Sequence, residues 1–360
     1  MLEPSAELVT SPARSTSARA RVGRPPADHG DERDFVHALE RARQGDIDLE
    51  SALTLLQGDR RPEGARQLFA AARRVRDTNL GRRLALTAHL HMESRCEISP
   101  PCNYCSLSSS ISAVQGERDR LSARGVALAA RDAVDRGVDS IVLVGGTSLD
   151  GSDRQVRRTV EAVRDVTDAP LALDVGPSIS TDTVEWLKGQ DARTIYCSIE
   201  TINAEAFHRA KPGDSLDARV AFNDLLQRHG MTLGNVVMNG LGSVGDLVNS
   251  VLFLRRYRSL RYLYVSTFHP VPGTPWATRR PASVRTSLAT LAIARLVFPQ
   301  VHVGLAEVEV EDPGSGARIA PQLRAGGGNT FAAILVYRHR RVDRMDEIVR
   351  EAAGAGFVAG

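Results

Sequence analysis

The stretch Cys96-Glu97-Ile98-Ser99-Pro100-Pro101-Cys102-Asn103-Tyr104-Cys105 governs how the rest of this chain is read. It holds three of the four cysteines within ten residues. Immediately before it, residues 84–92 alternate apolar and polar side chains, the period of a half-buried β-strand. The thiols therefore sit on the loop that leaves a strand. The fourth cysteine, Cys197, lies far along the chain. A secreted disulfide scaffold would spread more cysteines over a shorter chain, so the cluster points to metal or redox chemistry.

Outward from that loop, short β-rich runs alternate with helical stretches. The expected strands are 84–92, 140–144, 171–175, 194–199, 232–238, 262–267, 302–306 and 331–336. Helical periodicity falls near 120–136, 154–167, 180–189, 216–229, 246–257, 283–298 and 318–326. Eight strands with helical crossovers predict an α/β fold, a (βα)8 barrel of the ~250-residue TIM type. A doubly wound open sheet is the runner-up, because alternation does not decide closure. Ahead of the first strand come three helical segments: 35–43, a second capped by Asp48 with Leu49, Leu53 and Leu56 on one face, and 63–76 presenting Leu68, Phe69 and Val75. Residues 1–33 are rich in Ser, Pro, Ala and Arg and read as a disordered tail. The expected division is tail 1–33, helical extension 34–83, barrel 84–345 and C-terminal tail 346–360.

The chain has 360 residues, 42% hydrophobic and 25% charged, as in globular proteins that live in water. No apolar run approaches the ~18–20 residues that span a bilayer, and no signal-peptide pattern opens the chain, so a cytoplasmic protein without a membrane partner is expected. A net charge of +3 argues against a nucleic-acid partner. Among 46 basic residues only Lys188 and Lys211 are lysines, which reads as base-composition bias. The arginine groups at 255, 256, 258 and 261, and at 338, 340, 341 and 344, read as solvated faces.

Three thiolates on one tight loop can hold three irons of a [4Fe–4S] cluster, leaving the fourth iron open. Structural zinc is the alternative; it wants four ligands, and the fourth would be Cys197 or a distant His. A thioredoxin-type pair leaves Cys96 unexplained.

The loop, with Tyr104 before its last cysteine, resembles the cluster loop of radical S-adenosylmethionine (SAM) enzymes. Its spacing of five and then two residues, where three and two is usual, resembles the HmdB-type members. The resemblance runs over about 48–340 and is closest to the biotin synthase, HydE and methylornithine synthase group. Gly145-Gly146-Thr147 resembles the group's Gly-Gly-Glu stretch with threonine as a departure, and Tyr196-Cys197-Ser198-Ile199-Glu200-Thr201 its fourth strand. Lys211-Pro212 through Arg219, Gly240-Leu241-Gly242, Phe268 through Pro275, and Arg324 through Asn329 resemble later motifs.

The resemblance implies a [4Fe–4S] cluster on Cys96, Cys102 and Cys105. It implies SAM contacts from Tyr104, Gly145, Gly146, Ser198, Glu200 and Arg219. It also implies an electron donor such as flavodoxin or ferredoxin, and a 5′-deoxyadenosyl radical that abstracts hydrogen from substrate. The chemistry of the side chains agrees: a carboxylate such as Glu200 suits SAM's cationic end, and Arg219 can grip a carboxylate bidentately. A small polar substrate, amino-acid-like or a cofactor precursor, is expected to meet strand-end residues Asp174, Ser266, His269 and Glu307, with His89, His91, Glu93 and Glu309 as further polar positions. Rearrangement or fragmentation is the expected outcome. Biotin-type sulfur insertion is disfavoured, since Gly234 stands where that enzyme's later cysteine would fall and no arginine lies near Gly304. If Ser198 and Glu200 face the barrel interior, Cys197 faces the helices as a structural residue. The rival from another class is a metal-binding scaffold on a decayed radical barrel.

Overall fold

The computed structural model describes residues 29–92, 96–108, 121–148, 151–306, 319–337 and 340–359. The expectations for most of the N-terminal tail and for Glu93, Glu307, Glu309 and Arg338 lie outside the described residues.

Eight parallel strands form the barrel: β1 (Arg83–His91), β2 (Ser140–Val144), β3 (Leu171–Asp174), β4 (Thr194–Tyr196), β5 (Thr232–Asn239), β6 (Leu260–Thr267), β7 (His302–Leu305) and β8 (Thr330–Tyr337). Each agrees with its expected run to within a few residues. The ladder order is β7-β6-β5-β4-β3-β2-β1-β8, and β9 (Arg340–Asp343) extends it antiparallel beyond β8. Consecutive order rules out the doubly wound sheet, whose strand order reverses at a switch point. Among the described residues no ladder joins β7 to β8. The seam is held at its lower end, where Gly328 N donates to Val303 O at 2.5 Å and His302 Nδ1 meets Thr330 Oγ1 at 3.2 Å.

Strand alternation divides the barrel cleanly. Leu143, Leu173, Ile195, Leu233 and Leu263 face the helices and are fully buried. Their inward-facing neighbours Asp174, Tyr262 and Tyr264, and His89 on β1, stay partly exposed. In a complete TIM barrel the interior is packed core; here these inward-facing side chains keep accessible surface, and the main apolar core lies between sheet and helices.

Three helices precede the barrel: α1 (His29–Arg43), α2 (Leu49–Gly58), N-capped by Asp48 as expected, and α3 (Pro62–Leu80). Their Phe35, Leu39, Leu55 and Leu68 join Ala292, Ile293 and Leu296 of the helix Val284–Val297 in a second core. This packing reaches the bottom of β8. Gly326, at φ +84°, lies so close to Ala72 that a Cβ would stand 2.6 Å from that side chain. Two buried arginines cap the same turn: Arg76 Nη1 donates to Gly327 O at 2.8 Å and Arg295 Nε to Gly326 O at 3.0 Å.

Two helices escaped the sequence reading. Residues 346–360, expected as a tail, are built into the fold: Met345–Gly354 is a helix with Ile348 and Ala352 buried, and Val358–Ala359 pairs with the start of β1. Ala204–Ala210, capped by Asn203, was also missed, because seven residues are too few to show a periodic face.

Candidate active site

The cysteine loop leaves the C-terminal end of β1, the end where barrel enzymes place their chemistry. Cys96 and Cys105 are partly exposed, Cys102 is 4% exposed, and none of the three is in a disulfide. Leu107 N donates to Cys105 Sγ at 3.4 Å. Burial pushes the Cys102 thiol up to about 12, against the pull of the Lys211 ammonium. Among the described residues no three His, Cys, Asp or Glu side chains converge on one point, as a single ion would require. A [4Fe–4S] cluster asks for something different, one thiolate per iron from a loop that presents them. Cys197 does not join the set. It is fully buried against the helix layer beside Phe222 and Leu226, and its Sγ donates to Arg219 O at 3.7 Å. It therefore cannot complete a zinc site with the loop.

The loop is docked on two neighbours. On one side Glu97 N donates to Thr147 O at 2.7 Å, and Ser148 Oγ donates to the Glu97 carboxylate. That ties the loop to Gly145-Gly146-Thr147 at the end of β2. On the other side Asn103 N donates to Ala210 O at 2.9 Å and Asn103 Nδ2 to Arg209 O at 2.8 Å. Gly213 closes the same contact: a Cβ there would stand 2.4 Å from Pro100 O. The two-residue expansion at Pro100-Pro101 is thus seated on a glycine.

Between these contacts runs a chain of charges. Glu200 follows β4 at φ +58°, a conformation rare outside glycine. It is fixed there by β5: Glu200 N donates to Val236 O at 2.9 Å and Met238 N to Glu200 O at 2.8 Å. The turn carries its carboxylate to the Tyr104 hydroxyl, which donates to Oε2, and to Lys211 Nζ, 2.9 Å from Oε1. Lys211 also lies 3.5 Å from Asp214 Oδ2. Asp214 in turn receives Arg219 Nε at 2.8 Å and Nη2 at 2.6 Å. Arg219, on the helix Leu216–Arg228, further donates to Ser198 O at 3.0 Å and Thr147 Oγ1 at 3.3 Å. Burial acts against Lys211, but Glu200, Cys102 and Asp214 hold its pKa above the ordinary lysine value. Burial likewise acts against the Asp214 anion, and Lys211 and Arg219 outweigh it, keeping that carboxyl below its ordinary value.

The sequence-read residues Tyr104, Glu200, Ser198 and Arg219 are therefore brought together, with Gly145 and Gly146 on the adjoining strand end. Glu200 and Arg219 are not a simple ion pair, since each has its own partner. The fork of Arg219 that was expected to grip a ligand carboxylate is engaged by Asp214. Lys211, Asp214 and Thr147 are the residues whose contacts the sequence reading missed. Lys211 carried a usable signal as one of two lysines among 46 basic residues. A compact ammonium is not interchangeable with a guanidinium fork. Asp174 and Ser266 stand at the ends of β3 and β6, and His269 in the loop after β6.

Lower in the barrel, Tyr196 lies over Gly234, where a Cβ would stand 2.2 Å from the ring. Tyr196 sits 6.0 Å from Tyr262 and 6.2 Å from Tyr264, and Tyr262 stacks on His302 at 5.2 Å. Gly304 faces Tyr264, with a Cβ position 3.2 Å from its ring. Aromatic rings thus cover both Gly234 and Gly304. The arginine groups pair locally: Arg256 lies 3.4 Å from Asp224 and Arg344 2.8 Å from Glu347.

Residues 94–254 match the model of the Radical SAM superfamily. The match takes in the cysteine loop, Glu200 and Arg219, and by it the chain is an enzyme similar to those of that superfamily. An uncharacterized protein of Methanocaldococcus jannaschii is 26% identical over 318 residues, covering 86% of this chain and 82% of its own. The 3-methylornithine synthase of Methanosarcina barkeri is 25% identical, covering 71% of each chain. The crystal structure of methylornithine synthase (PylB) superposes with a TM-score of 0.75 at 21% identity, covering 90% of this chain and 97% of its own, which establishes the fold. The family implies a [4Fe–4S] cluster, SAM, a small-molecule substrate and an external reductant. Among the described residues no helix is long and apolar enough to cross a membrane.

Proposed function

We propose that Cys96, Cys102 and Cys105 hold a [4Fe–4S] cluster, and that Tyr104, Gly145, Gly146, Ser198, Glu200 and Arg219 form the SAM site. On this reading the chain acts on a small polar substrate within the barrel. The observation that carries it is the docking of a loop of three thiols, none in a disulfide, against the Glu200–Lys211–Asp214–Arg219 charge chain at the mouth of the barrel. When bound, cluster and SAM supply a 5′-deoxyadenosyl radical by one-electron cleavage of the sulfonium, and this radical takes a hydrogen atom from an unactivated carbon.

The chain's own residues do the positioning. Tyr104 and Lys211 fix the Glu200 carboxylate as an anion facing a cationic ligand. Asp214, Ser198 O and Thr147 hold the Arg219 guanidinium in place. Glycines at 145 and 146 let the backbone approach a ligand closely. The barrel wall limits water at the reacting carbon. A reductant of the flavodoxin or ferredoxin type supplies the electron. Rearrangement or fragmentation of an amino-acid-like molecule or a cofactor precursor is the outcome that fits one cluster loop and a ring-filled barrel floor.

The test is anaerobic reconstitution with iron and sulfide, then incubation with SAM and dithionite. About four irons per chain and 5′-deoxyadenosine by mass spectrometry are expected, and Cys102→Ala loses both while staying folded. Normal SAM cleavage by Cys102→Ala refutes the cluster assignment, and a cluster that never cleaves SAM returns the chain to the scaffold reading.

A further inference from the structure

We propose that Asp174 and the ring of Tyr196 form a binding site for an ammonium group, so that the substrate of this barrel carries a primary amine. The inference deepens the proposed function and rests on it in taking the barrel interior as the substrate site.

Asp174 is the last residue of β3. Its neighbours Leu173 and Val175 point into the core behind the sheet, which turns Asp174 inward. Across the ladders it is level with Val144 on β2 and Tyr196 on β4. Residues so paired on one face of a sheet stand with their Cβ atoms about 5 Å apart, which makes Asp174 and Tyr196 neighbours on the inner face.

Three features make this a site rather than a packed polar residue. Among the described residues no donor hydrogen-bonds to the Asp174 carboxylate and no cation pairs with it within 4.0 Å, although its backbone carbonyl accepts from Gly145 N. The residue is partly exposed on the inner face of the sheet. The Tyr196 ring cannot swing away, because Gly234 lies against one side of it and Tyr262 and Tyr264 bracket it. An anion beside a fixed aromatic face is the pairing that recognises an alkylammonium, through charge and through the ring's quadrupole. Burial raises the Asp174 carboxyl to about 6, against the pull of Arg219 and Lys211, so at neutral pH it presents a negative charge. His89, inward-facing on β1, is pushed down to about 4 by burial and adds no competing positive charge. The other cations near the mouth, Lys211 and Arg219, are already held by Glu200 and Asp214.

The test uses cluster-loaded, SAM-bound protein under anaerobic conditions, titrated with n-butylammonium and, in parallel, with 1-butanol, its uncharged match. Ligand-observed NMR reads the affinities. Wild type is expected to prefer the ammonium at least tenfold. Asp174→Asn should erase the preference, Asp174→Glu should retain part of it, and Tyr196→Leu should weaken it several-fold. Iron content and SAM affinity within twofold of wild type report that Asp174→Asn is intact. Equal binding of the two probes by wild type, or an unchanged preference in Asp174→Asn, overturns the inference. So does loss of SAM binding in Asp174→Asn, which reassigns the carboxylate to SAM's own ammonium. Failure of the radical reading is separate: it is read as absent 5′-deoxyadenosine from wild type, whatever the probes do.

Discussion

Lys211→Met tests whether the charge chain is a working part of the fold. Lys211 is 4% exposed and bridges Glu200 at 2.9 Å and Asp214 at 3.5 Å. Removing one partner of a buried ion pair costs about 3–5 kcal/mol, because the remaining charge stays buried without compensation. Here both carboxylates keep other donors. Glu200 retains the Tyr104 hydroxyl, and Asp214 retains Arg219 and the Ser215 N–H at 2.8 Å. The loss should therefore lie at the low end, about 3 kcal/mol. For a chain of this size that lowers the midpoint of thermal unfolding by about 4 °C. Circular dichroism of the cluster-free protein is the assay. The sign of the pH dependence follows from the shifts. Lys211 is raised, so its contribution is complete below the ordinary lysine value and fades only as pH climbs through the folded one. Asp214 is lowered, so its contribution is complete above the ordinary carboxylate value and fades only as pH falls through the folded one. The gap between wild type and variant should stay level from about pH 6 to pH 9. A loss under about 1 kcal/mol, the worth of an exposed pair, would refute the reasoning.

Gly213→Ala places a methyl against Pro100 O, so the cysteine loop must shift; iron bound per chain after reconstitution should drop by more than half, and full loading would show that the loop does not need this seat. Gly234→Ala overpacks the Tyr196 ring and should cost about 1–3 kcal/mol in urea unfolding. Asp174 and His89 pull opposite ways in acid. The folded Asp174 holds more protons than the unfolded chain between its ordinary value and about 6, so it lowers stability as pH rises through that window. His89, down at about 4, raises stability across nearly the same window. Asp174→Asn should therefore lose stability more steeply than wild type on acidification from about pH 6.5 to 4, as read by urea midpoints; an unchanged slope would place Asp174 in ordinary solvent. Arg295→Met leaves the carbonyls of Gly326, Phe298, Pro299 and Val301 without their shared donor and should lower thermal stability more than Arg344→Met, which breaks a partly exposed pair with Glu347.

The linear sequence determined the strands, because one-sided burial writes a period of two into residues such as Leu84, Leu86, Ala88 and Leu90. It determined the cysteine loop, because the ligands of one cluster can lie within a ten-residue stretch. It determined that Cys197 turns away, because alternation along β4 leaves no choice of face. Other features are set by contacts between distant segments and have no local signature. Curling into a barrel is one: it shows only where the two ends of the sheet meet, β7 against the turn before β8, through Gly328 N and Val303 O. The left-handed turn at Glu200 is another, imposed by β5 from 36 residues on through Val236 and Met238. So is the occupation of Arg219 by Asp214, since helix geometry and not sequence spacing decides which carboxylate reaches the fork first. The accessible inner face is the last. Asp174, His89 and Tyr264 read as ordinary strand residues, and only the curvature of the whole sheet leaves them with accessible surface instead of in a packed core.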